Sequence, residues 1–225
     1  MNIVKAETKL INGPTMDIRA LAEIARTCYK SGSDIVNENR DRALVRHLIE
    51  NGHHAMLEHG HMTFRIICDR GVSHEIVRHR LASYAQESTR YCNYGQDKHG
   101  GVITVVKPLC IDEDTPEYAM WEDTCLKAEW AYMHLLKQGV RPENARSVLP
   151  TCLKTELVMT ANYREWRHFF QLRSVGLTGR VHPDMQLIAD DMLRQASEAI
   201  PIIFEDIVAQ RCGEENERRI LNETR

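Results

Sequence analysis

Between His61 and Asp69 the apolar residues change period. Met62, Phe64, Ile66 and Cys68 alternate with Thr63, Arg65 and Ile67, the pattern of a strand with one face well buried. The segments before it repeat instead at three and four residues. Ile18, Leu21, Ile24, Ala25 and Cys28 share one face of a helix predicted from Ile18 to Cys28. Leu44, Val45, Leu48 and Ile49 form the stripe of a second helix from about Glu38 to Glu50, with Gly52 where a C-cap is expected. A one-faced strand among amphipathic helices asks for a sheet with helices packed on it.

The remaining segments follow the same two periods. Gly71 and Ser73 open a short helix through Arg80, and Ser83 to Gly101 is polar and turn-rich, read mostly as loop. Gly101 to Lys107 contains a short apolar run that can pair as a strand. The longest helix is expected from about Pro116 to Gln138, where Tyr118, Trp121, Cys125, Ala128, Tyr132 and Leu135 form a stripe and Gly139 ends it. Pro142 starts another short helix. Leu153 to Tyr163 reads as a strand, and Arg164 to Ser174 as a helix anchored by Trp166, Phe169 and Phe170. Asp184 to Ile200 is a further helix, its stripe running from Met185 to Ala199, and Pro201 starts a last, separate one. Strands and helices do not alternate regularly enough for a doubly wound sheet. The fold class is α+β, with several helices on a small, mostly antiparallel sheet. The whole chain, 1–225, reads as one domain with a charged, solvated tail from about 214.

Composition narrows the functions. A net charge of −3 on 225 residues provides no global field for nucleic acid or an anionic membrane. No apolar run is long enough to span a bilayer, and Met1 to Pro14 lacks the apolar core of a secretory signal. The seven cysteines are widely spaced without a C-x-x-C pair, which predicts reduced thiols and a cytoplasmic location. The basic residues are unbalanced, with 21 Arg against 8 Lys, and Arg is the better bidentate partner for phosphate and carboxylate. Neither G-x-G-x-x-G nor G-x-x-x-x-G-K-[ST] occurs. A bound nucleotide must therefore be held by side chains.

Arg78-His79-Arg80-Leu-Ala-Ser-Tyr84-Ala-Gln86-Glu87-Ser88-Thr89-Arg90-Tyr91 concentrates such side chains. Guanidinium forks match phosphate oxygens, hydroxyls and loop N–H groups complete the shell, and Gln86 can read the amide edges of a base. The same segment could instead be a solvated helix end, or a single-strand nucleic-acid surface with Tyr84 and Tyr91 as stacking platforms. Upstream, His53, His54, Glu58, His59 and His61 crowd nine residues. The H-E-x-x-H order that a zinc helix needs is missing and Gly52 and Gly60 interrupt the helix, so no metal is expected. Ser88 has no base that would make it a nucleophile. Cys152, in Pro150-Thr-Cys-Leu, is read as a buried thiol and not as a nucleophile.

Arg78-His79-Arg80, seven further residues and Ser88 together reproduce the signature of the flavin-dependent thymidylate synthases. The resemblance extends through Gly52-His53 and Glu58-His59, and Arg70-Gly71-Val-Ser-His-Glu75. It continues in Ala145-Arg146-Ser-Val-Leu-Pro150, Asn162-Tyr163-Arg164 and Phe169-Phe170-Gln-Leu-Arg173, in the same order as in that family.

The resemblance implies the family's fold and reaction: thymidylate from deoxyuridylate (dUMP), with methylenetetrahydrofolate as carbon donor, NADPH as reductant and FAD between them. It implies that Arg78, His79 and Arg80 lie against the flavin, with His53, Ala55, Gln86, Asn162, Tyr163, Arg164 and His168 also holding FAD. It places Glu75, Arg78, Gln86, Glu87, Ser88, Thr89, Arg90, Arg146 and Arg173 around dUMP. Family members often carry an acid at position 86, so Gln86 departs from the pattern. Arg173 is the expected catalytic residue: a guanidinium on the uracil edge favours the N3-deprotonated, electron-rich ring. The resemblance further implies a homotetramer whose sites draw on several subunits, with no nucleic-acid or membrane partner. A relative that installs a C5 hydroxymethyl group remains the alternative within the scaffold.

Overall fold

The computed structural model describes residues 1–28, 30–31, 37–96 and 100–223, with side chains to 213. The elements in chain order are β1 (Asn2–Val4), β2 (Glu7–Asn12), α1 (Ile18–Thr27), α2 (Glu38–Glu50), a 3-10 turn (His54–Glu58), β3 (His61–Asp69), α3 (Arg70–Ile76), β4 (Ala82–Gln86) and β5 (Thr104–Val106). There follow α4 (Pro116–Lys137), α5 (Pro142–Ala145), a 3-10 turn (Arg146–Val148), β6 (Lys154–Asn162), α6 (Tyr163–Phe170), a π-helical turn (Gln171–Val175), α7 (Pro183–Ala199) and α8 (Pro201–Glu223). A four-stranded sheet has the order β2-β3-β6-β4. β3 and β6 run antiparallel: Tyr163 N–H donates to Gly60 O at one end and Arg70 N–H to Leu153 O at the other. β1 and β5 form a separate parallel pair, Asn2 opposite Thr104 and Val4 opposite Val106.

The chain divides into two compact units. The first comprises Met1–Glu7, Ile66–Arg78 and Tyr84–Val158; the second comprises Thr8–Arg65, His79–Ser83 and Met159–Arg225. The first unit's core is Ile103, Val105, Cys125, Tyr132, Ala145 and Leu153, with Tyr94 at its edge. Of the stripe on α4, Cys125 and Tyr132 are buried and Trp121 and Leu135 pack against this core. The second unit is built around aromatic rings. Trp166 meets Phe64 edge-on at 5.0 Å between centroids, stacks on Phe170 at 5.7 Å, and Phe170 meets Phe204 at 5.5 Å. The Arg167 guanidinium is buried beside them, donating to Asp206 through two nitrogens at 2.7 and 2.6 Å and to the Ile203 carbonyl.

β3 and α2 have the predicted limits, and side chains caps start the helices: Asp17 for α1, Asn37 for α2, Asp69 for α3, Thr115 for α4 and Asn162 for α6. Five expectations are corrected. α3 stops at Ile76, not Arg80, because the chain turns to bury His79. Ala82–Gln86, read as loop, is the edge strand β4. β1 and β2 lie in an N-terminal segment where no strand was read. α8, with 23 residues, exceeds α4 with 22. Ala199, placed on the α7 stripe, is exposed. The charged tail from 214 continues α8 to Glu223; the solvation of its side chains lies outside the described residues. Among the described residues no helix is long and apolar enough to cross a membrane.

Candidate active site

The first unit holds a turn lined by hydroxyls and guanidinium groups. β4 ends at Gln86, and the Ser88 carbonyl then accepts the Tyr91 and Cys92 N–H groups at 3.1 and 2.9 Å. The Ser88 hydroxyl oxygen accepts the Arg90 N–H at 3.2 Å. α5, begun by Pro142 and pinned by buried Ala145, delivers Arg146 to this turn. Arg146 donates through Nη1 to Thr89 Oγ1 and through Nε to the Glu143 carbonyl, both at 3.1 Å. The Glu143 carboxylate lies 3.4 Å from Arg90 Nε and 2.9 Å from Arg141 Nη2. Two guanidinium groups thus meet the Glu143 carboxylate and a third meets its main-chain carbonyl, a local positive excess within an acidic chain.

The residues just before the turn face inward. Gln86 Nε2 donates to Ser73 Oγ at 3.0 Å and Thr155 Oγ1 at 3.2 Å. Glu87 accepts the Tyr94 hydroxyl at 2.7 Å on one oxygen and Lys154 Nζ at 2.9 Å on the other. Burial first, then the bond to Glu87 and its charge, raise the Tyr94 pKa, so this phenol stays a donor. Of the other residues expected around dUMP in this unit, Glu75 is half-buried on α3 and Arg78 is exposed just after it. The tyrosines weighed as stacking platforms differ: Tyr91 is exposed under Arg90, 5.3 Å from its ring centroid, whereas Tyr84 donates its hydroxyl to Ile76 O at 3.0 Å.

In the second unit, Arg173 and His79 meet although 94 residues apart: Arg173 Nε donates to His79 Nε2 at 3.3 Å. Since Nε2 accepts, the hydrogen-bond pattern assigns the imidazole proton to Nδ1, which lies 3.4 Å from Glu165 Oε1. Burial, then the charges of Arg173 and His168, bring the His79 pKa down to about 4. The imidazole is therefore neutral at pH 7. Burial also raises the Glu165 carboxyl. The His79 ring packs on Phe169 at 4.8 Å and on exposed His168 at 5.8 Å. Arg173 sits in the π-helical turn that prolongs α6, a distortion found often at functional sites.

The same unit contains a cavity of about 470 Å³ with Ile24, Leu48 and Met56 on its apolar side and His53, His59 and Arg164 among its polar lining. Ala55 lines it too, and Arg164 Nη1 is held by Glu58 Oε1 at 2.6 Å. Among the described residues, no group of three or more His, Cys, Asp and Glu could hold a metal ion. Arg80 is exposed.

Two expected cofactor residues also hold the scaffold. Tyr163 is fully buried; its hydroxyl donates to Met16 O at 2.8 Å and accepts Met16 N–H at 3.1 Å. Its ring covers Gly60 so closely that a Cβ there would lie 2.0 Å from a ring carbon. The Tyr163 side chain is thus a structural strut. The Asn162 side-chain oxygen caps α6 through the Glu165 N–H at 2.8 Å. Sequence reasoning missed Glu165, Tyr94 and Lys154. Glu165 could have been found, because a helix places it one turn before Phe169 on the apolar face; the other two carry no such signal.

A guanidinium-lined turn without a glycine-rich phosphate loop, and a guanidinium bonded to a neutral buried imidazole, are the equipment of an enzyme that binds anionic, nucleotide-like substrates through side chains. The family described as thymidylate synthase complementing protein matches residues 9–202. The flavin-dependent thymidylate synthase of Geobacter sulfurreducens is 35% identical over 193 residues, covering 83% of this chain and 80% of that protein. Its counterpart from Pyrococcus abyssi is 34% identical over 181 residues, covering 79% and 72%. Among solved structures, the UMP/dUMP methylase PolB from Streptomyces cacaoi, bound with 5-Br dUMP, superposes with a TM-score of 0.80 at 22% identity, over 94% of this chain and 99% of that one. The chain belongs to the flavin-dependent thymidylate synthase family.

Proposed function

We propose that this chain converts dUMP to thymidylate, with methylenetetrahydrofolate as carbon donor and NADPH as reductant, in a cytoplasmic homotetramer and without a covalent protein nucleophile. The observation that carries the reading is the Arg173–His79 bond, which joins two blocks of the family resemblance in one site. Bound FAD would supply the redox chemistry. The second unit offers fitting chemistry for it: an apolar cavity rimmed by imidazole and guanidinium, within the size range of ligand pockets. His53, Ala55 and Arg164 there, with Arg78, His79, Arg80, Asn162 and His168, would hold the cofactor.

Each remaining role falls to a side chain. Ser88, Thr89, Arg90 and Arg146 take the nucleotide phosphate through charge-assisted hydrogen bonds. Arg173 sets its positive charge on the uracil edge and stabilises the N3-deprotonated ring, which makes C5 nucleophilic. His79, being neutral, fixes the plane of the guanidinium without cancelling its charge. Cys152 is read as a structural thiol: its Sγ lies 3.4 Å from the Cys125 thiol, beside the apolar core.

The test is a visible spectrum and an assay. Purified protein should carry or take up FAD and turn dUMP, methylenetetrahydrofolate and NADPH into a product whose mass shows methyl, not hydroxymethyl, at C5. Light scattering should give a tetramer. A colourless protein that takes up no FAD would overturn the reading.

A further inference from the structure

Lys154 opens β6, 67 residues from the glutamate it pairs with. β6 alternates: Thr155, Leu157, Met159 and Ala161 are buried, while Lys154 and Glu156 lie on the other face. On that face Lys154 Nζ is 2.9 Å from Glu87 and 3.9 Å from Glu156. The Lys154 and Glu87 side chains are only 23% and 18% exposed, so solvent screens the pair less than a surface ion pair. The Glu87 N–H also donates to the Glu156 carbonyl at 2.8 Å. The last residue before the Ser88–Arg90 turn is thus tied to β6 by both main chain and side chain.

This arrangement answers an electrostatic difficulty. A nucleotide phosphate is close to a dianion at pH 7, and a carboxylate adjoining its binding turn would repel it. We propose that Lys154 and Tyr94 are positioning residues for the anion-binding turn. Tyr94 holds one Glu87 oxygen inward with a neutral donor, and Lys154 holds the other and cancels the Glu87 charge. Glu87 then anchors the turn, whereas the family resemblance implies that it touches the nucleotide. The inference rests on the Ser88–Arg90 turn being the phosphate site.

The experiment measures binding of dUMP and of uncharged deoxyuridine to the full-length protein by calorimetry, with deoxyuridine as the phosphate-free control. K154M should weaken dUMP roughly ten- to thirtyfold, the scale of one poorly screened charge pair, and leave deoxyuridine within about twofold. Adding E87Q to K154M should restore dUMP to within about threefold of wild type, because the uncancelled charge is gone. K154R, which keeps the charge, should stay within the same range, and K154Q replaces K154M if the latter does not fold. Equal losses for both ligands, unchanged dUMP affinity in K154M, or no rescue by E87Q would each overturn the proposal. A wild-type protein that binds dUMP no better than deoxyuridine would overturn the phosphate-site reading itself, and the proposal with it.

Discussion

Arg173 donates its Nε–H to His79 Nε2 at 3.3 Å, and the far side of the same imidazole faces Glu165. The three residues form a chain in which a neutral ring orients a cation and a buried carboxyl orients the ring. Arg173→Lys keeps the charge but loses the planar fork and the Nε–H that His79 accepts. We expect turnover to fall about 10²–10³-fold, as when one preorganised transition-state donor is removed. The thermal midpoint should move little, since half-buried Arg173 is outside the aromatic core. Steady-state kinetics with a melting curve checks both; a collapsed fold would make Arg173 structural.

His79 also ties stability to pH. Its pKa in the fold is about 4 against 6.5 for the free side chain. Between those values the unfolded chain binds the extra proton, so the contribution is full above about pH 6.5 and is lost as pH falls toward 4. On those pKa values the loss is about 2 kcal/mol at pH 5. The raised pKa of Glu165 works in the opposite sense, because the folded form then holds its proton more readily in acid. Denaturant midpoints at pH 7 and pH 5 should therefore differ less in His79→Gln than in wild type. Equal shifts in the two proteins would show that His79 does not carry the effect.

The reach of the sequence ended where pairing became non-local. The alternation of Met62, Phe64, Ile66 and Cys68 is local, and it gave β3 its limits. Ala82–Gln86 carries no such pattern, and its pairing beside β6 is decided by tertiary contacts. The site divides in the same way. Arg90, Arg146 and Arg173 are nominated by the family resemblance, whose blocks are local stretches of sequence. Lys154 and Glu165 are not, because each matters through a partner: Lys154 through Glu87, 67 residues away, and Glu165 through His79. Gln86 shows a further limit, since the type of residue suggested base reading while the geometry spends its nitrogen on Ser73 and Thr155.

That geometry makes Gln86 a stability residue. Ser73 and Thr155 are both fully buried, and Gln86→Leu would take from each the amide that donates to it. Leaving buried hydroxyl oxygens without that donor costs about 1–3 kcal/mol. The loss should appear as a lower denaturant midpoint with an unchanged slope. An unaltered midpoint would show that the two hydroxyls find other donors.

Tyr163 and Gly60 supply the sharpest separation of scaffold from site. Tyr163→Phe keeps the ring against Gly60 but removes both hydrogen bonds to Met16. It should cost about 1–3 kcal/mol of stability, while FAD affinity measured by fluorescence titration stays within about twofold of wild type, below 0.5 kcal/mol. Gly60→Ala attacks the same contact from the other side: a methyl group 2.0 Å from the ring cannot be accommodated without moving Tyr163. The strain should be at least the 1–3 kcal/mol typical of overpacking, roughly. A Tyr163→Phe protein of native stability that has lost its flavin would reverse the assignment and return Tyr163 to the cofactor site.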